Sequence, residues 1–544
     1  MKTKFPPPAP PELVVIVDPK AGIRVRNGQV ISIVDAYQAD TKTMADLIRT
    51  EQAKIQPLYG VSEESLREKT AHTKTMMGVG QRLDLSIFYK VTVPDEKLKS
   101  MVPKLRALKV VQSAYVKPGV ELTIRDNSIE SRGGIELRGG IEPRGVIESR
   151  DVLVSDTITE NFTQVHLDSV SEGGMGVPCA WAIPGGRGAG VNIIDAEGAW
   201  NFSHEDLPEN LGDRLGITES EVRDDIGWRN HGTAVLGVLG GDSNTIGITG
   251  ICPEAFVRTV SVFAHSDGTP SETWGAGAAI IHAADNLSAG DILLLEHHLP
   301  GRRANFEARE DQFGYIPIEW WPDNLAAIQY ATDRGIIVVE AAGNGRQNLD
   351  DPIYNDDPDD EPFPDSWRNP FSRNEIDSKA IVVGAGMPPL GIVTFDTRLA
   401  DRSREESSNF GSMVDAQGWG DGVVTCGYGG LSSDTDENRF YTSRFNGTSS
   451  ASAMVAGAIG CLHGILRARG SAPLDPLVLR NLLRRDDLNS PQQIGRFPTD
   501  PSLVRIGPRP DLCKLIAHLI PPRPPGFFAV IFSVLKALLR RIFK

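Results

Sequence analysis

Val191-Asn192-Ile193-Ile194 is a short apolar run, and Asp195 follows it directly. Strands that face solvent on one side alternate apolar and polar residues, whereas strands covered on both faces are apolar throughout. Arg258–Val262, Ile292–Leu295, Ile336–Val339 and Ala380–Gly384 read as further strands. Helix-like segments stand between them at 232–240, 275–288, 323–334 and 449–469. This alternation predicts an α/β fold over about residues 175–515, with a doubly wound, mostly parallel sheet. Such sheets place their chemistry at the carboxyl ends of strands, which makes Asp195 a candidate functional residue.

Two further positions stand at predicted helix starts. His231-Gly232-Thr233-Ala234 opens one helix, and Gly447-Thr448-Ser449 opens another, which runs on through Met454, Ile459, Cys461 and Leu466. At a helix start the free N–H groups and the helix dipole stabilise a nearby oxyanion, and the same N–H groups also donate to a serine cap. Both roles are open to Ser449 from this stretch alone. The order Asp, His, Ser on an α/β sheet is one of those in which a nucleophilic triad occurs.

With these residues in view the chain resembles the subtilisin-like serine proteases, the subtilases. The resemblance rests on Ile194-Asp195-Ala196-Glu197-Gly198 with His204-x-Asp206-Leu207, on Asn230-His231-Gly232-Thr233-Ala234-Val235, on Ala341-Ala342-Gly343-Asn344, and on Gly447-Thr448-Ser449-x-Ala451-Ser452. It implies Ser449 as nucleophile, His231 as proton carrier, Asp195 as the acid that orients His231, and an oxyanion hole from the Asn344 side chain and the Ser449 N–H. It further implies a serine endopeptidase acting on peptide or protein substrates, and no cofactor for the chemistry. The other function class is a catalytically silent subtilase fold that serves as a peptide-binding module.

The sequence departs from the family pattern in places. Ala453 stands where the family usually has Pro. Glu197 stands where Ser, Thr or Gly is frequent, and solvent is its expected direction. After Ile292–Leu295 the family's Ser-x-Gly is replaced by Glu296-His297-His298. Leu295, Glu296, His297, Ala341, Ala342 and Gly343 are the candidate substrate-binding residues, and Glu296 could pair with a basic substrate residue or turn away.

The 544 residues carry a net charge of -15, which argues against nucleic acid as a general partner. Five widely spaced cysteines without a Cys-x-x-Cys predict neither a disulfide framework nor structural zinc. The N-terminus lacks the apolar core of a secretory signal and no apolar run is long enough to span a bilayer, so the cytoplasm is the default compartment. Residues 1–122 are expected to form a small α+β domain similar to the family's propeptides, which implies a zymogen. A β-α-β unit at 85–116 and a helix at 44–58 lie within it.

Residues 123–160 read as a linker, with hexapeptide repeats beginning at Ile129, Ile135, Ile141 and Ile147, cut on maturation. Residues 161–520 form the catalytic domain and 521–544 a Pro-rich hinge with a C-terminal helix. In 526–544 the basic and apolar residues fall on opposite helical faces, which suits a peripheral membrane contact or a partner groove. The acidic stretch from Asp350 to Asp365 has carboxylates that suit calcium, but no ligand loop of recognised spacing, so a structural calcium has no clear motif behind it.

Overall fold

The computed structural model describes residues 8–71, 76–78, 81–123, 163–207, 225–263, 275–359, 362–392, 400–431, 435–495 and 504–520. The hexapeptide repeats and the tail 526–544 lie outside these residues, with the expectations placed on them.

The N-terminal part is built around Glu12–Val17, which is buried along its whole length. It pairs antiparallel with Phe88–Thr92 on one side and Val111–Lys117 on the other, and Lys54–Pro57 closes the four-stranded sheet. Helices Gln38–Thr50 and Leu98–Arg106 accompany it. The latter buries Leu98, Met101, Val102 and Leu105, the three- and four-residue spacing of an amphipathic face. The expected helix 44–58 starts earlier and stops at Thr50, because Ile55 pairs with Val91 in the sheet instead. The expected strand from Leu85 begins at Phe88, because Asp84 accepts from the Ser86 N–H and starts a short 3-10 turn.

The larger part holds a six-stranded parallel sheet. Its order is Phe256–Ser261, Asn192–Glu197, Ile292–Leu295, Ile337–Ala341, Ile381–Gly386, Ala416–Trp419. The first strand in sequence therefore has later strands on both sides. Strand order reverses there, at the point where doubly wound sheets bind their ligands. Helix Gly447–Ala468 is buried from Gly447 through Leu466 and crosses the back of the sheet. It is long and apolar enough to cross a membrane, which corrects the expectation that no apolar run is, but its apolar window is wholly inside the domain. Its small residues permit that depth: a side chain at Gly457 would press on Ile251, and one at Gly464 would overlap the Gly185 carbonyl.

Two features join distant chain segments. Cys179 and Cys513 form a disulfide, with Cα atoms 5.3 Å apart, between helices Val177–Trp181 and Leu512–Leu519. This corrects the expectation from cysteine spacing: partners 334 residues apart leave no local pattern and meet only in the folded chain. Cys252, Cys426 and Cys461 are free and buried. The N-terminal sheet packs on the large domain through one continuous apolar core, with Tyr115 against Trp321 and Phe363. Inside that contact Lys117 pairs with Glu12 and with Asp323, at the start of helix Pro322–Asp333. The Tyr59 hydroxyl donates to the Asp323 carbonyl at 2.8 Å and that of Tyr115 to its carboxylate at 3.0 Å.

Candidate active site

Strand Asn192–Glu197 runs further than its apolar core suggests, because Asp195, Ala196 and Glu197 continue the parallel ladder opposite Thr259, Val260 and Ser261. Side chains two apart on a strand share a face, so Asp195 and Glu197 point the same way. Helix Ile226–Gly240 starts at its cap Asp225, which accepts from the N–H groups of Gly227 and Trp228. His231 therefore lies inside this helix, one turn beyond the N-terminal position expected for it. Gly447 opens the long helix at φ +81°, a conformation that favours glycine, and puts Ser449 in the first turn.

His231 and Ser449 meet: Nε2 lies 2.8 Å from Ser449 Oγ. The other ring nitrogen, Nδ1, bonds to Glu197 Oε1. Asp195 is not the partner of His231, which corrects the role the resemblance implied. Its Oδ2 accepts from the Trp200 indole N–H at 2.7 Å. Glu197 does not face solvent either; its side chain is fully buried. The reason is geometric. Glu197 is the last residue of the strand, so its longer side chain reaches the imidazole, while Asp195 sits two residues deeper and is taken up by Trp200.

Burial dominates the electrostatics. It pushes the His231 imidazole down to about 3, against the pull of the Asp195 charge. The ring is therefore neutral, with one nitrogen a donor and the other an acceptor; a proton on Nδ1 facing Glu197 leaves Nε2 to accept from the serine. Burial raises Asp195 well above the usual carboxylate range, and the neighbouring Glu197 charge adds to it. Glu197 is raised by burial, and Glu296 by burial and then by Asp195 and Glu197. Carboxyl groups so close cannot all ionise.

Asn344 follows strand Ile337–Ala341 through a turn at Gly343, whose φ is +88°. Its Oδ1 accepts from the Thr448 N–H and hydroxyl, both at 3.0 Å, which fixes the amide. Its Nδ2 is buried and has no hydrogen-bond partner among the described residues. A Cβ placed on Gly447 would lie 2.8 Å from this nitrogen. The free donor therefore opens on the space beside Ser449.

Among the expected substrate-binding residues, His297 begins the strand His297–Pro300, which pairs antiparallel with Glu121–Leu122 from the N-terminal part. Leu295 is buried in the apolar core. The Ala342 carbonyl accepts from Asn409 Nδ2 at 2.7 Å, and the Gly343 N–H donates to Thr448 Oγ1 at 3.2 Å. Ala341 ends its strand, paired with Val383. These last three shape the turn before Asn344 from behind. Glu296 is fully buried and its Oε1 accepts from Ser452 Oγ at 3.0 Å, while its Oε2 has no hydrogen-bond partner among the described residues.

Glu197, His231 and Glu296 bring ligand-type atoms within 4.8 Å of one another. In the acidic stretch, by contrast, Asp351 and Asp359 pair with Arg303 and Arg302.

Two residues were missed in the sequence. Glu197 carried a signal, since it stands two residues beyond Asp195 at a strand's carboxyl end. Thr123 carried none: its carbonyl oxygen lies 3.2 Å from Ser449 Oγ, which also contacts its side-chain oxygen.

A buried serine and histidine with a carboxylate, at the carboxyl edge of a doubly wound parallel sheet, define a subtilisin-like fold. The chain belongs to the subtilase family, whose sequence profile matches residues 186–486. It is 25% identical over 327 residues to the intracellular serine protease of Paenibacillus polymyxa, covering 58% of this chain and 80% of that protein. It is 29% identical over 169 residues to thermitase of Thermoactinomyces vulgaris, covering 31% of this chain and 51% of thermitase, so the match spans about half of that relative's length. Fervidolysin from Fervidobacterium pennivorans, described as a keratinolytic enzyme related to subtilisin, aligns in structure at 15% identity and a TM-score of 0.44, over 89% of this chain and 58% of that one.

Proposed function

We propose that the chain is a serine endopeptidase, made as a zymogen, in which Ser449, His231 and Glu197 carry the proton relay. The observation that carries this reading is the 2.8 Å contact of His231 Nε2 with Ser449 Oγ, with Nδ1 held by a buried carboxyl group. In this reading Ser449 Oγ attacks a peptide carbonyl and passes its proton to His231 Nε2. Glu197 fixes the ring and stabilises the imidazolium. The unpartnered Asn344 Nδ2 and the Ser449 N–H receive the oxyanion. His231 then protonates the leaving amine, and water reverses the steps to free the acyl group. Asp195, held by Trp200, braces Glu197 from the same strand face and acts as a positioning residue.

The N-terminal domain, residues 1–122, is the propeptide in this reading, and its last strand lies in the cleft. The relative named an intracellular serine protease supports an intracellular setting, whereas the Cys179–Cys513 bond supports an oxidising one, where such bonds persist. A fluorophosphonate probe should label the wild-type chain on Ser449 and leave Ser449→Ala unlabelled. Wild type that does not react sinks the enzyme reading.

A further inference from the structure

We propose, resting on the protease reading above, that Val120-Glu121-Leu122-Thr123 is the enzyme's first substrate. The bond cut is the one that follows Thr123, and the same preference, cleavage after Leu-Thr, applies to other proteins.

The segment is held as a substrate strand is held. Leu122 lies opposite His297 and Glu121 opposite His298 in an antiparallel ladder. The Leu122 carbonyl accepts from Gln312 Nε2 at 2.8 Å, and the Tyr315 hydroxyl donates to Glu121 at 2.6 Å. This pairing delivers the Thr123 carbonyl to Ser449, at 3.2 Å from Oγ to oxygen. A Cβ on Gly447 would overlap that carbonyl oxygen and would also approach the Asn344 Nδ2 that lacks a partner. The nucleophile, the oxyanion donor and one particular carbonyl are thus gathered at one point.

The step balances with the groups present. Ser449 Oγ bonds to the Thr123 carbonyl carbon while its proton moves to His231 Nε2. The bond from that carbon to the next nitrogen breaks, and His231 returns the proton to this nitrogen, which becomes the amine of residue 124. Water then adds to the Thr123–Ser449 ester and gives its proton to His231. Collapse restores the Ser449 hydroxyl with that proton and frees the carboxylic acid of Thr123, which loses its own proton to solvent.

The side chains state the preference. Leu122 is buried with Ala199, Trp228 and Phe263, an apolar site where a charge would lose its solvation. Thr123 is fully buried, and its hydroxyl donates to the Glu296 carbonyl at 3.1 Å. A carboxyl that could draw an arginine, Glu296, is turned onto Ser452 through Oε1, and burial raises it well above the usual carboxylate range. The arginines of the hexapeptide repeats therefore have no counter-charge here, which moves the expected maturation cut from the repeats to Thr123.

The test compares the full wild-type chain with Ser449→Ala by intact mass, N-terminal sequencing and fluorophosphonate labelling. Wild type should divide into a piece ending at Thr123 and one beginning at Ile124, and Ser449→Ala should stay whole. A labelled wild type that stays whole, or whose new N-terminus lies elsewhere, overturns the proposal and leaves the protease reading intact; a wild type neither cut nor labelled removes both. Leu122→Lys should slow the cut about tenfold or more. Because that variant can also disturb docking, the processed enzyme is offered two coumarin peptides, ending Val-Glu-Leu-Thr and Val-Glu-Leu-Arg. Preference for the first by about tenfold or more is expected, and equal or reversed rates overturn the proposal.

Discussion

At the scale of single residues, the position of one carboxylate changes the site. Asp195 and Glu197 lie on the same face of one strand, so a pattern of residues cannot say which reaches His231. The answer depends on where the strand ends and on Trp200, whose indole N–H takes Asp195 at 2.7 Å. The serine, the histidine and Asn344 were legible because each sits at the start of a helix or the end of a strand. The acid was not, because its assignment needs the side-chain geometry. Glu197→Gln replaces by a neutral amide the group that stabilises the imidazolium in the proposed relay, and kcat/KM should fall about 1,000- to 10,000-fold, as for the equivalent change in other triads. Asp195→Asn keeps a group that accepts from Trp200 and donates to Glu197, and the loss should stay within about tenfold. Rates on one peptide substrate decide: the opposite ranking would make Asp195 the orienting acid.

At the scale of elements, the strands and the long helix were legible because their burial is written locally. Ile292–Leu295 is apolar throughout and appears as drawn, and helix Gly447–Ala468 announces itself by small and apolar residues in a long unbroken run. Strand Ala416–Trp419, Ala-Gln-Gly-Trp, was not legible, because its polar and small residues carry no apolar signal. The disulfide is likewise a product of the fold. It ties the short helix before the sheet to the helix that ends the described chain, so it closes a very long loop in the unfolded state. Chain-entropy estimates give such a bond about 2–5 kcal/mol. Cys513→Ser should therefore lower the thermal midpoint clearly, and reduced wild type should match it. Equal midpoints for oxidised and reduced wild type would show that packing of these helices needs no cross-link.

At the scale of the whole molecule, two domains share one apolar core and one buried ionic cluster. Lys117, on the last strand of the small sheet, faces Asp323 on the large domain and Glu12 on its own. Burial would raise Glu12, but the Lys117 and Lys90 charges prevail and hold it at about 2, so Glu12 stays ionised over any ordinary pH. One docking contact that titrates is Glu121, in the strand that enters the cleft; His297 and His298 opposite it are lowered to about 3 by burial. Burial pushes it up to about 7, and hydrogen bonds from Tyr315 and Gln312 only partly oppose this. Once free in water it returns to about 4.3. A group whose docked pKa lies above its free one favours docking fully below the free value, and that contribution fades as pH rises through the docked value. After the cut at Thr123, the small domain should therefore stay bound in mild acid and leave faster as pH passes from about 5 to 8. The expected loss of affinity approaches tenfold per pH unit between the two pKa values, because one proton is released on dissociation. Following the two pieces by size-exclusion chromatography at a series of pH values measures it. Glu121→Gln, which cannot ionise, should keep the pieces together with little change over the same range. If its release follows pH as steeply as that of wild type, the proton lies elsewhere in the contact, and Glu121 is only one more polar group paired with Tyr315.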